Sequence, residues 1–176
     1  MDLVLPDALP SDDERAAVDA VLGPATSGWS GGERAIEFEG RVARGGDVHD
    51  RRHQLPVLHA LQARAGWISP GGLRYACERL TVPPAEAYGV ATFYAMFSTE
   101  ERPARVVHVC DDIACRVAGA VNLIGDLERE LGPERENQLL RSPCLGMCER
   151  APAALMQTFG NDASDTTMGP ASMEFL

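Results

Sequence analysis

The sequence predicts an α+β chain: a small helical bundle first, then an α/β domain. Three observations predict it. Up to about residue 97, apolar residues recur at helical spacing between capping and proline signals. From Ala104 onward, short apolar runs surround one amphipathic stretch, in the order β, α, β, β, β. Between the two lies Glu100-Glu101-Arg102-Pro103, a charged segment that suits a linker. The expected division is residues 1–46, an N-terminal extension with a short helix and a glycine-rich loop; 47–103, the helical bundle; and 104–176, the second domain.

Residues 1–10 carry no pattern and are expected to fray. Ser11-Asp12-Asp13-Glu14 reads as a capping box, so a short helix through Val18, Val21 and Leu22 should end at Gly23-Pro24. Six of the 17 glycines fall between Ala25 and Gly46, which reads as a long loop. Its Gly28-Trp29-Ser30-Gly31-Gly32 lacks both the lysine of a phosphate loop and the glycine spacing of a dinucleotide fingerprint. Asp47 is placed to cap a helix to about Ala65 with Leu55, Leu58 and Leu61 on one face; Pro56 should kink that helix or mark its start. Gly66 ends it, with Trp67 and Ile68 packing across the turn.

Ser69-Pro70 is an N-cap with proline at the first helical position, opening a helix that carries Leu73, Ala76, Cys77 and Leu80. Pro83-Pro84 opens the next, through Ala87, Val90 and Phe93-Tyr94. In the second domain, Ala104 to Val109 is the first strand. Val117, Val121, Ile124, Leu127 and Leu131 make a helical stripe that Gly132-Pro133 stops. Gln138–Arg141, Ala153–Gln157 and Thr166–Met168 are the remaining strands.

Composition narrows the function classes. At 176 residues the chain can bury roughly 70% of its unfolded surface. Its formal charge of −10 is the opposite of the basic field a nucleic-acid binder needs, and it disfavours an anionic membrane surface. No apolar run approaches the ~18 residues of a membrane span, and Met1 to Asp7 has no positive region of the secretory type. A cytoplasmic protein without direct membrane insertion is expected. All 16 basic residues are arginine, which reads as compositional bias.

Four of the five cysteines fall into two pairs, Cys110 with Cys115 (C-x4-C) and Cys144 with Cys148 (C-x3-C), separated by 28 residues. Four thiolates from two loops make a sulfur-only cage suited to a soft metal. Zinc sites more often use tight C-x2-C knuckles, although wider spacings occur. A [2Fe–2S] cluster takes two thiolates per iron, which suits paired cysteines. Spacing alone leaves iron–sulfur, zinc and disulfides open. Cys77, on the apolar face of its helix, reads as a packed side chain. His49, His53 and His59 share a predicted helix without a third ligand in register, so a solvated face is expected. His108 reads as a core or edge residue of its strand.

The flanking residues carry a family resemblance. Val106-Val107-His108-Val109 runs into Cys110, Cys144-Leu145-Gly146-Met147-Cys148 is followed by Ala151-Pro152, and Gly66-Trp67-Ile68 and Gly89-Val90-Ala91-Thr92-Phe93-Tyr94 lie upstream. Residues 51–160 closely resemble the thioredoxin-like [2Fe–2S] ferredoxin family. That family includes the E subunit of respiratory NADH dehydrogenase and the gamma subunits of NAD-dependent formate dehydrogenases and NAD-reducing hydrogenases. The resemblance implies a thioredoxin-like second domain holding one [2Fe–2S] cluster per chain on Cys110, Cys115, Cys144 and Cys148. It implies a flavoprotein partner, subunit or fused domain, that carries FMN and the NAD site, with further iron–sulfur subunits in the same complex. A place in the peripheral arm of a membrane-associated assembly would follow. The family usually closes with a longer C-terminal helix, which here would only be starting at Ser172; the expectation is a helix cut short or a natural chain that continues.

No nucleophile–base pair or paired-carboxylate site stands out, so an electron relay rather than a catalytic subunit is expected. Three residues are expected to tune it. Asp111 and Asp112, inside the first ligand loop, would oppose electron uptake if ionised near the sulfurs; Gly146 would let the chain pass close to them. The competing reading is a zinc-stabilised four-cysteine interaction module without redox activity.

Overall fold

The structure, a computed structural model, describes residues 8–24, 52–133 and 138–175. The chain divides into two units, Met1–Glu101 and Arg102–Leu176. Among the described residues the first unit is helical and the second is a mixed four-stranded sheet with helices, an α+β arrangement of the thioredoxin-like kind.

In the first unit, α1 spans Asp12–Leu22. Its capping box is closed: the Ser11 hydroxyl accepts from the Glu14 N–H at 3.2 Å, and the Ser11 N–H donates to Glu14 Oε2 at 2.7 Å. Helix α2 spans Gln54–Ala65 and ends on Gly66, whose φ of 85° is left-handed. Pro56 is the third residue of α2, where its missing N–H leaves no intrahelical bond unmade, so it marks the helix start rather than a kink. The helix begins at Gln54, and Asp47 lies outside the described residues. Leu58 and Leu61 are buried with Val57, but Leu55 is exposed. Three-residue steps drift back by about 60° each on an α-helix, which puts Leu55 roughly 120° from Leu61 and off the core face.

Helix α3 spans Pro70–Leu80, with Ser69 capping the Gly72 N–H at 2.9 Å. The Ser69 hydroxyl in turn donates to the Glu14 carboxylate, so one buried acid serves the N-termini of α1 and α3. Within the stretch expected to fray, Pro10 is buried here, and a Cβ on Gly71 would collide with the Leu9 carbonyl, although the Leu9 side chain is exposed. Helix α4 spans Pro84–Phe93. Val18, Val57, Leu58, Leu61, Leu73 and Leu80 form the centre of the core, each contributing about 1.5–3 kcal/mol by burial. Buried Gln62 fixes the turn after α4, accepting from the Ser98 N–H at 2.7 Å and donating to the Met96 carbonyl.

The second unit is built on β1 (Arg105–Cys110), β2 (Leu139–Ser142), β3 (Ala154–Thr158) and β4 (Ser164–Met168), in the order β2-β1-β3-β4. β1 pairs parallel with β2, while β1–β3 and β3–β4 are antiparallel. The predicted single helix is two pieces, α5 (Ile113–Val117) and α6 (Ala120–Leu131). Gly119, with φ 96°, breaks the run and resets its phase. Val117 and Val121 are therefore exposed, and α6 buries Ala120, Leu123, Ile124 and Leu127 against Val109 and Ala154. The described C-terminal residues form a short 3₁₀ turn at Met173–Phe175. No helix among the described residues is long and apolar enough to cross a membrane.

Candidate metal centre

Topology brings the two cysteine loops together. Because β1 and β2 run parallel in the register Cys110 to Ser142, both chains leave the sheet at the same end. Cys110 is the last residue of β1, and its N–H donates to the Ala153 carbonyl at 2.9 Å. The next residue, Asp111, donates its N–H to the Ser142 carbonyl at 2.9 Å, stitching the first loop to the root of the second. Asp112 caps α5 by accepting from the Ile113 N–H at 2.7 Å, and α5 turns Cys115 inward. Cys110 and Cys115 are both buried.

The second loop has the opposite exposure. Leu145 and Met147 pack against the core, which leaves Cys144 and Cys148 facing outward, their sulfurs 3.4 Å apart. Gly146 sits between them at φ 76°, and its N–H donates to Cys144 Sγ at 3.4 Å. An added Cβ there would meet no protein atom within 4 Å, so the left-handed backbone, more than steric room, calls for glycine. A 3₁₀ turn at Cys148–Arg150 closes the loop, and Gly169 packs directly against the Arg150 carbonyl at a would-be Cβ distance of 2.7 Å.

Electrostatics link all four thiols. Burial pushes the Cys115 thiol up, a backbone hydrogen bond from Ala153 pulls it down, and the neighbouring Cys110 and Cys148 push it up further. Cys148 is raised first by its hydrogen bond to Cys144 and the charge there, then by burial, and also by Cys110. The sulfurs thus stand as two pairs, one shielded and one open to solvent. Among the described residues no group of three or more His, Cys, Asp or Glu side chains is disposed to hold one ion. A soft four-thiol donor set in two pairs, with an N–H already on one sulfur, fits a [2Fe–2S] cluster.

The acidic pair has two different fates. Asp111 is tied to Arg116 and Arg141, and the Arg116 hydrogen bond holds its carboxyl below the usual range. It is therefore ionised but not bare. Asp112 is exposed and occupied as a helix cap. Sequence reasoning missed the two arginines. Arg116 was discoverable, since it directly follows Cys115 and lies five residues from Asp111; Arg141 becomes visible only through strand pairing.

The other candidates named from the sequence belong to neither cysteine loop. Cys77 is buried in the first unit's core, its thiol pushed up to about 12 by burial. His53 precedes α2 and is exposed; His59 packs against Phe97 in a tilted arrangement, 4.7 Å between ring centroids; His49 lies outside the described residues, as does the Gly28–Gly32 stretch. His108 is buried, its Nε2 2.9 Å from Gln157 Oε1, and burial lowers its pKa.

Comparison with known proteins bears on the same region. The profile of the thioredoxin-like [2Fe–2S] ferredoxins matches residues 41–170. The E subunit of NADH-quinone oxidoreductase from Pseudomonas aeruginosa is 28% identical over 113 residues, covering 60% of this chain and 68% of the relative. Its counterpart from Aquifex aeolicus is 31% identical over 113 residues, covering 60% and 71%. The counterpart from Mycobacterium tuberculosis is 29% identical over 119 residues, covering 63% of this chain and 47% of the longer relative.

Proposed function

This chain belongs to the thioredoxin-like [2Fe–2S] ferredoxin family, and we propose that it is an electron-transfer subunit of an NAD(H)-linked oxidoreductase, with Cys110, Cys115, Cys144 and Cys148 holding one cluster. The observation that carries the reading is the convergence of two cysteine pairs at one end of a parallel strand pair. When bound, such a cluster takes up and gives back single electrons. The chain's own residues supply the setting. Cys110 and Cys115 keep water from one side of the site, because both lie in the core. The Gly146 N–H stabilises charge on Cys144 sulfur, as the backbone donor at Ala153 does for Cys115. Cys144 and Cys148 form the solvent-facing side.

The partner that fits is a flavoprotein subunit or fused domain carrying FMN and the NAD site, since a flavin splits a hydride into single electrons. Further iron–sulfur subunits would continue the path. Among parent complexes of this kind, the names of the relatives favour the NADH dehydrogenase type over formate dehydrogenase or hydrogenase. In that setting the chain sits outside the bilayer, in the peripheral arm. Native purification with metal and sulfide analysis tests the reading. Iron with matching acid-labile sulfide, a paramagnetic signal after dithionite and a co-purifying flavoprotein are expected. Colourless protein with zinc and no labile sulfide would overturn it in favour of a structural zinc module.

A further inference from the structure

Resting on the assignment of the four cysteines as ligands, we propose that Asp111, Arg116 and Arg141 form an ion triad that ties the two ligand loops together and sets the charge felt at the sulfurs. Asp111 follows the ligand Cys110, and Arg116 follows the ligand Cys115. The Arg116 guanidinium folds back across the loop with three bonds to one residue. Its Nε lies 2.9 Å from the Asp111 carbonyl oxygen and 2.8 Å from Oδ1, and its Nη2 lies 3.0 Å from Oδ2. This fork closes the C-x4-C loop on itself.

Arg141 reaches the same carboxylate from the other loop. It lies in β2, three residues before Cys144, and its Nη1 is 3.4 Å from Asp111 Oδ2. Its Nη2 is 3.3 Å from Glu128 Oε1 on α6, a second carboxylate partner. The Asp111 N–H to Ser142 carbonyl bond repeats the link in the backbone. Asp111 is thus fastened to both loops, by side chain and by backbone. Its side chain is only 14% exposed, while Arg116 and Arg141 are 58% and 55% exposed. One largely covered carboxylate is therefore paired with two half-exposed guanidiniums.

The sign of each charge gives the prediction. Adding an electron is favoured by positive and opposed by negative surroundings. Arg141→Gln leaves Asp111 less compensated, so the midpoint potential falls. Asp111→Asn leaves two guanidiniums without their shared carboxylate, so it rises. Arg141→Lys keeps the charge while losing the planar fork, so the potential stays near that of the parent chain. The Asp111→Asn/Arg141→Gln pair removes one charge of each sign and returns the potential towards the starting value. These are positioning residues, and a purely structural role would not make the shift follow the sign of the charge removed.

The experiment is a redox titration followed by electron-spin resonance on the iron-loaded full chain, with iron content measured for each variant at low and high ionic strength. Opposite shifts for Arg141→Gln and Asp111→Asn, shrinking in high salt, support the triad. Equal iron content with shifts of the same direction, or none, overturns it. A parent chain that takes up no iron and sulfide instead overturns the ligand assignment on which the triad rests.

Discussion

Replacing Gly169 with alanine tests whether the outward-facing cysteine loop is held by close backbone packing. The added Cβ would lie 2.7 Å from the Arg150 carbonyl oxygen, 3.0 Å from Met147 Cε and 3.1 Å from Arg150 Cβ. Ordinary contact begins at 3.4 Å, so the two segments must part by about 0.7 Å. The Met147 methyl can swing away, but the Arg150 carbonyl cannot. The Arg150 N–H is bonded to the Met147 carbonyl at 2.9 Å and the Ala171 N–H to the Pro152 carbonyl at 2.7 Å, which pins both sides. Overpacking of this kind costs about 1–3 kcal/mol, a factor of roughly 5 to 150 in a local opening equilibrium. Amide exchange at Arg150 and Ala171 should accelerate by that factor, and the iron-loaded variant should surrender iron to a chelator faster. Exchange at both amides unchanged from the parent chain, with unchanged iron loss, would refute the argument.

Three further outcomes follow from the same contacts. Glu14→Ala removes the acceptor for the Ser11 N–H and the Ser69 hydroxyl at a buried position, so it should lower stability by about 2–4 kcal/mol in urea unfolding; a loss under ~0.5 kcal/mol would show that α1 and α3 do not depend on it. Gly125→Ala, inside α6 with nothing within 4 Å of the new methyl, should raise stability by about 0.5–1 kcal/mol; urea unfolding reads this too, and no gain would show that the helix backbone is not what limits stability there. In iron-free folded protein, iodoacetamide should label Cys144 and Cys148 and spare Cys77. Cys144 and Cys148 are exposed, whereas Cys77 is closed off from the reagent and its thiol is pushed up to about 12 by burial, which leaves little thiolate to react. Mass spectrometry reads this, and labelling of Cys77 at a matching rate would contradict its burial.

The readable parts of the fold were those whose partners lie within a few residues. Ser11 with Glu14, Ser69 with Pro70, and Gly66 each complete their interaction inside one turn, and each element edge stands where those signals put it. The second job of Glu14 spans 55 residues to Ser69, and no local pattern encodes it. The end of α3 was hidden for a different reason. The residue that caps it, Thr81, is left-handed at φ 56°, a conformation that local signals assign to glycine or asparagine. A buried setting overrides that preference here, with the Thr81 N–H bonded to the Cys77 carbonyl.

The candidate site divides along the same line. Cysteine spacing is local and was legible; the field around the sulfurs is not local. Asp111 and Asp112 are neighbours of the same charge, and sequence reasoning gave them one role. In the fold, the backbone sends Asp112 to the start of α5, where it satisfies an N–H, and Asp111 towards the β1–β2 edge, where two guanidiniums meet it. The second guanidinium arrives only because β2 pairs parallel with β1 in a register that sets Arg141 beside Val109, one residue from Cys110. Shift that register by one residue and Arg141 would point to the opposite face of the sheet, leaving Asp111 with Arg116 alone. The net charge beside Cys110 is therefore a property of strand pairing. That is why the sign of a residue next to a cysteine says little about potential until its partners are known.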